Sequence, residues 1–419
     1  MQTGIKEKEE KAVKKTKSKK KQKWVKPRHF VFRHLLFPII VPLTYLKYDI
    51  KVEKFKGQRD QKYLILFNHQ TAFDQFFVGM AFKRPIYYMA TEDIFSKGLI
   101  SSVIRYLVAP IPIKKQTTDV RAVLNCMKVV AEGGTIAIAP EGNRTYSGET
   151  VNMNPSIAML AKKLNIPILL YRIEGGYGAH PRWSDVVRRG SIRGYVSRVI
   201  EPDEYKDMSY DELYAIIKQG LYVNEANTDI SYYHKKSAEY LDRVFYVCPY
   251  CGLSTFYAHG DTVECTKCKR QIKYMPNKLL KGVGFDFPHK FALDWYRAQE
   301  NYINNLDTLA LSDEPIWRDN ASLSEVIPYK KKVGIARKTD ISLYGDKVII
   351  RYGNEELAMP FLEMSGASVL GKNKVNYYYK DKIYQLKGDK HFNALKFVNL
   401  YYRAKNISKG EENDKFLGL

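Results

Sequence analysis

Two short apolar strands, each ending in a polar block, most constrain the fold of this chain. The strand predicted at 63–67 leads into Asn68-His69-Gln70-Thr71, and the strand predicted at 135–139 leads into residues 140–145. The segments between them alternate between predicted strands and helices, at 85–90, 98–107, 111–115 and 119–131. This alternation predicts an α/β fold with a mainly parallel or mixed sheet and flanking helices. Both polar blocks then follow the carboxyl ends of strands, where such sheets bind ligands.

The first block places a histidine five residues before an aspartate. On a regular helix His69 and Asp74 would lie about 140° apart and could not share a face. If His69 instead lies in the turn before the helix, its ring can fold back towards Asp74. A carboxylate on one ring nitrogen leaves the other free to accept a proton. The spacing therefore predicts a general-base pair, although by itself it is a common spacing.

The second block contains a glycine and an arginine within a turn, Glu141-Gly142-Asn143-Arg144. An arginine offers a planar fork of hydrogen-bond donors, and a glycine lets backbone N–H groups approach a ligand closely. This turn is therefore expected to bind an oxyanion or a phosphate.

Taken together, the two blocks resemble those of the glycerolipid acyltransferases, the family that contains the 1-acyl-glycerol-3-phosphate (lysophosphatidic acid) acyltransferases. Its first block is Asn-His-x4-Asp, and its third is Pro-Glu-Gly-Thr-Arg-Ser or a close variant. Two intermediate features agree as well, a hydrophobic-Pro-hydrophobic-basic block at 111–114 and a proline-containing strand at 165–170. The resemblance covers about residues 30–225.

The resemblance implies transfer of a fatty acyl group from coenzyme A or acyl carrier protein to the hydroxyl of a lysophospholipid, without a covalent acyl-enzyme. The expected acceptor is 1-acyl-sn-glycerol-3-phosphate, giving phosphatidic acid; glycerol 3-phosphate or another lyso-lipid is the alternative. His69 would be the base and Asp74 its orienting carboxylate. The implied substrate-binding residues are Asn68, Lys114, Glu141, Gly142, Asn143, Arg144 and Thr145. Asn143 and Thr145 depart from the family's usual Thr and Ser, which leaves the acceptor headgroup open.

Four of the five cysteines form a second pattern, two Cys-x-x-Cys pairs separated by thirteen residues. Cys248, Cys251, Cys265 and Cys268 have the spacing of a tetrahedral zinc site, and predicted strands at 244–247 and 261–264 enter the two pairs. The pattern predicts a zinc ribbon whose closed S₄ site is structural. An iron site and two disulfides are the alternatives. Cys126, in the predicted helix 119–131, is expected to be a core residue.

The net charge of +23, from 68 Lys and Arg against 45 Asp and Glu, favours a polyanionic partner. Residues 1–28 carry nine of these positive charges and almost no apolar side chains, so we expect a disordered arm. The next segment, 29–50, is aromatic and apolar, but its charge-free part, 35–46, is too short to span a bilayer and contains two prolines. We expect an interfacial anchor on the cytoplasmic face of an anionic membrane, peripheral or monotopic; a core helix is the alternative.

A basic chain with a zinc ribbon is also typical of nucleic-acid-binding proteins. The sequence shows no recognisable base-reading or aromatic-stacking motif, and under that interpretation the two acyltransferase-like blocks would be coincidental. Nucleic acid is therefore not the expected partner.

The last part of the chain predicts a small β-rich domain. Two hairpins, at 341–352 and 374–386, precede a helix with Leu395, Val398 and Tyr402 on one stripe. This arrangement resembles a pleckstrin-homology-type barrel, which would bind a lipid headgroup or a partner, or serve as a structural module. The predicted division is a basic arm 1–28, an anchor 29–50, an acyltransferase domain 51–243, a zinc ribbon 244–275, a helical linker 276–330, a β-rich domain 331–408 and a tail 409–419.

Overall fold

The computed structural model describes residues 23–57, 60–91, 94–95, 98–113, 119–150, 152–226, 230–327 and 332–410. Most of the predicted basic arm and the predicted tail lie outside the described residues, as does Lys114.

The N-terminal domain is built on one mixed seven-stranded sheet. Its strands are β1 (Ile50–Val52), β2 (Leu64–Phe67), β3 (Ile86–Thr91), β4 (Ile111–Ile113), β5 (Thr135–Ile138), β6 (Ile168–Glu174) and β7 (Ile192–Ile200). The spatial order is β1-β7-β6-β2-β5-β3-β4, and every pairing is parallel except that of β6 with β7. The predicted α/β sheet is confirmed, and the antiparallel β7 makes it mixed.

Helices flank this sheet. They are α1 (Pro27–Lys47), α2 (Asp74–Ala81), α3 (Leu99–Val108), α4 (Val120–Ala131), α5 (Ser156–Leu164), α6 (Gly176–Ala179), α7 (Pro202–Tyr205) and α8 (Tyr210–Leu221). Strand β2 is buried on both faces: Leu64 and Leu66 join one apolar cluster, and Ile65 and Phe67 join another. Burial on both faces explains the uninterrupted apolar run that predicts this strand.

The predicted anchor forms one continuous helix, α1, which runs through Pro38 and Pro42. By length and composition alone this helix is long and apolar enough to cross a membrane, which the charge-free part of the sequence did not suggest. Arg33, which interrupts the apolar run, donates to the backbone carbonyls of Gly79 and Phe82. The Arg33 guanidinium therefore contacts the domain, and the helix extends beyond the charge-free segment 35–46.

The cysteine ribbon consists of β8 (Val247–Cys248), β9 (Gly252–Leu253), β10 (Phe256–His259), β11 (Thr262–Cys265), β12 (Gln271–Tyr274) and β13 (Leu280–Gly282), followed by α9 (Ala292–Asn304). The strand predicted at 244–247 is mostly absent, because the chain leaves a 3₁₀ turn at Leu241–Arg243 and reaches β8 only at Val247. Gln299 of α9 takes the place of a strand partner: its Oε1 accepts from the N–H groups of Tyr246 and Val247, and its Nε2 donates to the carbonyl of Val244.

The C-terminal β domain is an antiparallel seven-stranded sheet closed by one helix. Its elements are β14 (Trp317–Glu325), β15 (Val333–Leu343), β16 (Lys347–Tyr352), β17 (Glu355–Pro360), β18 (Gly366–Leu370), β19 (Lys374–Tyr379), β20 (Lys382–Lys387) and α10 (Ala394–Ser408). The two predicted hairpins and the final helix are present. Strand β14 pairs with both β15 and β20 and lies within the region predicted to be a helical linker.

One apolar cluster joins the cysteine ribbon, α9 and the C-terminal β domain. Tyr146 and Trp183 of the N-terminal domain belong to the same cluster. Tyr146 follows the second polar block directly. The cysteine ribbon and the C-terminal β domain therefore pack next to that block.

Candidate active site

The two polar blocks meet at one edge of the sheet. Strands β2 and β5 are parallel neighbours, so the residues that follow them lie side by side. The backbone N–H of His69 donates to Glu141 Oε1 at 2.8 Å, and the N–H of Thr145 donates to the carbonyl of His69 at 3.3 Å. These reciprocal bonds fix the first block against the second.

Asp74 is a fully buried carboxylate at the first residue of α2. It accepts hydrogen bonds from the N–H groups of Gln70 and Thr71, at 2.7 and 2.9 Å, and from the Thr71 hydroxyl at 2.7 Å. Its Oδ2 also lies 2.7 Å from Nδ1 of His69. Asp74 therefore serves as the hydrogen-bond acceptor that closes this loop onto the start of α2.

The carboxylate of Asp74 determines which nitrogen of the His69 ring carries the hydrogen. Because the carboxylate only accepts hydrogen bonds, Nδ1 of a neutral His69 carries the hydrogen and Nε2 has the lone pair. The His69 side chain is 26% exposed, and within the described ranges Nε2 has no hydrogen-bond partner. The predicted geometry is present: His69 lies before the helix and presents an accessible base.

Three of the predicted substrate-binding residues form hydrogen bonds with other residues of the chain. The buried Asn68 amide bonds to the backbone of Ile173, because Nδ2 donates to the carbonyl and Oδ1 accepts from the N–H of that residue, at 2.8 and 2.7 Å. Glu141 is buried and holds the backbone of His69. The buried Thr145 hydroxyl accepts from the N–H groups of Ser147 and Gly148. These contacts position the loops around His69 and Arg144, and a role of the three residues in substrate binding stays a prediction.

Two other predicted residues stay at the surface of the second block. Gly142 is exposed and has φ of 65°, a left-handed conformation that favours glycine, and a Cβ there would contact nothing. Asn143 is half-buried. Both are placed where a ligand could contact the turn.

Arg144 is a half-buried residue whose NH1 is buried, and none of the residues that the structure describes forms an ion pair with it. Among the described residues, NH1 has no hydrogen-bond partner. Burial lowers its pKa to about 10, with a further lowering from the charge of Arg182, while Asp74 is near enough to oppose that shift. The group thus stays charged at neutral pH, and a bound anion would provide the partner that this buried cation lacks.

A histidine that sequence reasoning missed lies beside these residues. His180 is buried, and its Nδ1 lies 2.7 Å from the hydroxyl of Tyr48. Burial and the charges of Lys372 and Arg144 lower the pKa of His180 to about 3, so it is neutral. Burial and the charge of Asp74 raise the pKa of Tyr48. The signal available in the sequence was the His-Pro-Arg run at 180–182, a few residues beyond the carboxyl end of β6.

Comparison with known proteins identifies the part of the chain that carries this site. The profile of the family described as Acyltransferase matches residues 49–173, which include His69, Asp74 and the whole second block. Residues 49–173 form an acyltransferase domain. The resemblance seen in the motifs is thereby confirmed.

The chain was also compared with solved structures and with curated proteins. A solved structure described as the crystal structure of the 1-acyl-sn-glycerophosphate (LPA) acyltransferase, PlsC, from Thermotoga maritima is 21% identical, with a TM-score of 0.38; the match covers 46% of this chain and 75% of that chain. A search of curated proteins found no match.

Outside the acyltransferase domain, the cysteine ribbon brings four thiols together. The Sγ atoms of Cys248, Cys251, Cys265 and Cys268 lie within 4.8 Å of one another. The Cys248 and Cys268 sulfurs are 3.9 Å apart, close to the separation of about 3.8 Å that tetrahedral zinc–sulfur bonds of about 2.3 Å require. All five cysteines are free thiols in the structure. The thiol set fits a structural zinc ion, which would have no open position for catalysis.

The fifth cysteine has the predicted position. Cys126 is fully buried in α4, and burial raises its pKa to about 12, so it is an unreactive core thiol.

Proposed function

We propose that this chain is a membrane-surface O-acyltransferase that moves a fatty acyl group from a thioester to the free hydroxyl of a lysophospholipid. The expected acceptor is 1-acyl-sn-glycerol-3-phosphate, and the product is then phosphatidic acid. The observation that carries the proposal is the accessible Nε2 of His69, oriented by Asp74, on the loop that bonds to the Arg144 turn, where the buried NH1 of Arg144 has no partner among the described residues.

The reaction follows from the state of the His69 ring. Nε2 takes the proton of the acceptor hydroxyl as the oxygen attacks the thioester carbonyl, and the charge that develops on the ring is stabilised by Asp74. The new carbon–oxygen bond forms, the carbon–sulfur bond breaks, and the proton passes from Nε2 to the departing sulfur. The acyl group goes directly from thiol to alcohol, so no acyl-enzyme is needed.

Arg144 gives a reason to expect a phosphate on the acceptor. A phosphate monoester can accept two parallel hydrogen bonds from a guanidinium, and this interaction is strong where water is excluded. Gly142 and Asn143 lie next to it on the exposed side of the turn. Glycerol 3-phosphate and other lyso-lipids carry a phosphate as well and remain the alternative acceptors.

The proposed reaction is tested by turnover of the purified protein. Acyl-coenzyme A and acyl carrier protein thioesters are each supplied with 1-acyl-sn-glycerol-3-phosphate, glycerol 3-phosphate, lysophosphatidylcholine and 1-monoacylglycerol. We expect the highest kcat/KM with 1-acyl-sn-glycerol-3-phosphate and at least a tenfold lower value with the uncharged monoacylglycerol, since that acceptor leaves Arg144 unpaired. Equal rates with the charged and uncharged acceptors would contradict the proposed role of Arg144.

The surface of α1 and α3 supports association with a membrane. Helix α1 exposes a stripe of apolar side chains, Val31, Leu35, Ile39, Leu43 and Leu46, and α3 exposes Leu99, Ile100, Val103, Tyr106 and Val108. The two helices contact one another through Phe32 and Tyr106, whose rings are 5.9 Å apart. Exposed apolar side chains on adjacent helices suit an interface with anionic lipid, and the sequence that precedes α1 is rich in lysine.

This membrane contact predicts a loss of binding when the stripe becomes polar. A variant with Leu35→Gln, Ile39→Gln and Leu43→Gln changes side chains that are each about 60% exposed and leaves the buried contacts of α1 intact. We expect most of the protein to remain in the supernatant when vesicles containing phosphatidylglycerol are pelleted, whereas the unaltered protein pellets. The control changes Val283, Val333 and Leu362 to Gln, which are about half exposed on other modules. Equal pelleting of both variants would contradict the proposed anchor.

A further inference from the structure

The segment 180–185, which we call the connector, links the second polar block to the C-terminal β domain. The Arg182 side chain is almost completely buried. Its NH1 donates to the backbone carbonyl of Arg144 at 3.0 Å, while NH2 and Nε donate to the carbonyls of Val369 and Gly371 at 3.3 Å. One guanidinium therefore joins the turn that carries Arg144 to the end of β18 and the turn that follows it.

The turn between β18 and β19, residues 371–373, returns a contact to the connector. Lys372 Nζ donates to the carbonyl of Ser184 and lies 2.7 Å from Asp185 Oδ1. On the other side of the turn, Asn373 Nδ2 donates to the carbonyls of Gly388 and Asp389, at 2.9 and 2.6 Å. The turn is thus held by its own domain and by the connector, so its position beside the second block is defined.

The positive charge of Lys372 acts on the candidate active site. It is the charge with the largest effect in lowering the pKa of His180, ahead of Arg144. The pKa of Lys372 itself is lowered, chiefly by burial and also by the charges of Arg144 and Arg243, although Asp185 opposes the shift. Asp185 is shared, because Arg243 NH2 lies 2.9 Å from its Oδ2. One carboxylate is thus shared by two cations, and Lys372 follows Gly371, whose carbonyl is bonded to the guanidinium that also holds the Arg144 carbonyl.

We propose that the C-terminal β domain completes the phosphate-binding part of the acceptor site, with Lys372 adding positive charge beside Arg144 and Arg182 positioning the turn that carries Arg144. This inference rests on the proposed function and identifies the same acceptor site as shared between two domains. The ligand chemistry is a phosphate monoester, whether on a lyso-lipid or on glycerol 3-phosphate. The C-terminal β domain is in this respect part of the enzyme's specificity and more than an attached module.

The test separates the charge of Lys372 from its contacts. Lys372→Gln keeps a donor for the Ser184 carbonyl but removes the charge, and Lys372→Arg keeps the charge. Lys382→Gln is the matched control, because Lys382 is exposed on the same domain and is paired with Glu325 at 3.4 Å. The full-length, zinc-loaded proteins are compared by KM for 1-acyl-sn-glycerol-3-phosphate, KM for 1-monoacylglycerol and Kd for glycerol 3-phosphate measured by calorimetry.

We expect Lys372→Gln to raise the KM for the phosphate-bearing acceptor and the Kd for glycerol 3-phosphate about three- to tenfold, with kcat and the KM for monoacylglycerol little changed. Lys372→Arg and Lys382→Gln should stay near the unaltered protein. Arg182→Lys, which cannot bridge the three carbonyls with a planar fork, should raise the same two constants. A Lys372→Gln protein with unchanged constants, or with equal losses for charged and uncharged acceptors, would overturn the proposal.

The binding measurement distinguishes this proposal from the proposed function. If the unaltered protein binds glycerol 3-phosphate and loses affinity with Lys372→Gln, the shared phosphate site stands even where no acyl transfer is seen. If acyl transfer to 1-acyl-sn-glycerol-3-phosphate occurs and Lys372→Gln changes neither constant, the proposed function stands and the shared site is wrong.

Discussion

Replacing His69 with alanine is expected to lower kcat for acyl transfer by at least about 100-fold, and up to about 10⁴-fold, the range that general-base catalysis contributes. The reason is that Nε2 of His69 is the atom that takes the acceptor's proton. Within the described residues no other histidine ring is hydrogen-bonded to Asp74. The measurement is the initial rate of product formation with the donor and acceptor that the unaltered protein prefers.

Two controls make the result specific. His234→Ala removes an exposed histidine outside the site, whose Nδ1 accepts from the Lys236 N–H, and should leave kcat unchanged. Zinc content and the circular dichroism spectrum of the His69→Ala protein should match those of the unaltered protein, because the His69 side chain is partly exposed and its backbone bonds to Glu141 and Thr145 remain. Near-normal kcat in a folded His69→Ala protein would overturn the assignment of the base.

Loss of one ribbon cysteine is expected to have the largest effect on stability. Cys265→Ser removes a buried thiolate from the four-sulfur site, and a structural zinc ion contributes about 10–16 kcal/mol to the folding of isolated zinc-finger peptides at neutral pH. We expect stoichiometric zinc to be lost and the ribbon to unfold. The C-terminal β domain should become sensitive to proteolysis at lower temperature, because it shares an apolar cluster with the ribbon.

The check is zinc content by mass spectrometry together with thermal unfolding and limited proteolysis. Cys126→Ala is the matched control, since it also removes a buried thiol but lies in α4, away from the ribbon. Cys126→Ala should keep its zinc and lose only the stability that a small cavity costs. A Cys265→Ser protein with full zinc content and an unchanged Tm would contradict the predicted metal site.

The parts of the fold that were predicted from the sequence are those with strong local signals. The apolar strand at 64–67, the helix at 120–131 and the hairpins around residues 345 and 381 combine a clear period with a turn or a capping residue. Asp119, for example, caps α4 by accepting from the N–H of Ala122. Motif spacing also brought His69 and Asp74 together correctly, since both lie within one short loop and the helix start.

Elements stabilised by distant residues were not predicted. Strand β14 has a pattern that reads as a linker until β15 and β20 pair with it. The backbone of Tyr246 and Val247 is satisfied by the Gln299 side chain, which a local pattern cannot indicate. The internal contacts of Asn68 and Thr145 were not predicted for the same reason: a local motif does not show which backbone groups its polar side chains will bond.

The two hydrogen bonds between His69 and the second block have a consequence for regioselectivity. The His69 N–H donates to the Glu141 carboxylate and the His69 carbonyl accepts from the Thr145 N–H, so the loop of the proton acceptor and the Arg144 turn are held side by side. This arrangement favours one separation between the reacting hydroxyl and the phosphate of an acceptor. Acceptors in which the hydroxyl lies further from the phosphate should therefore react slowly even when they bind well.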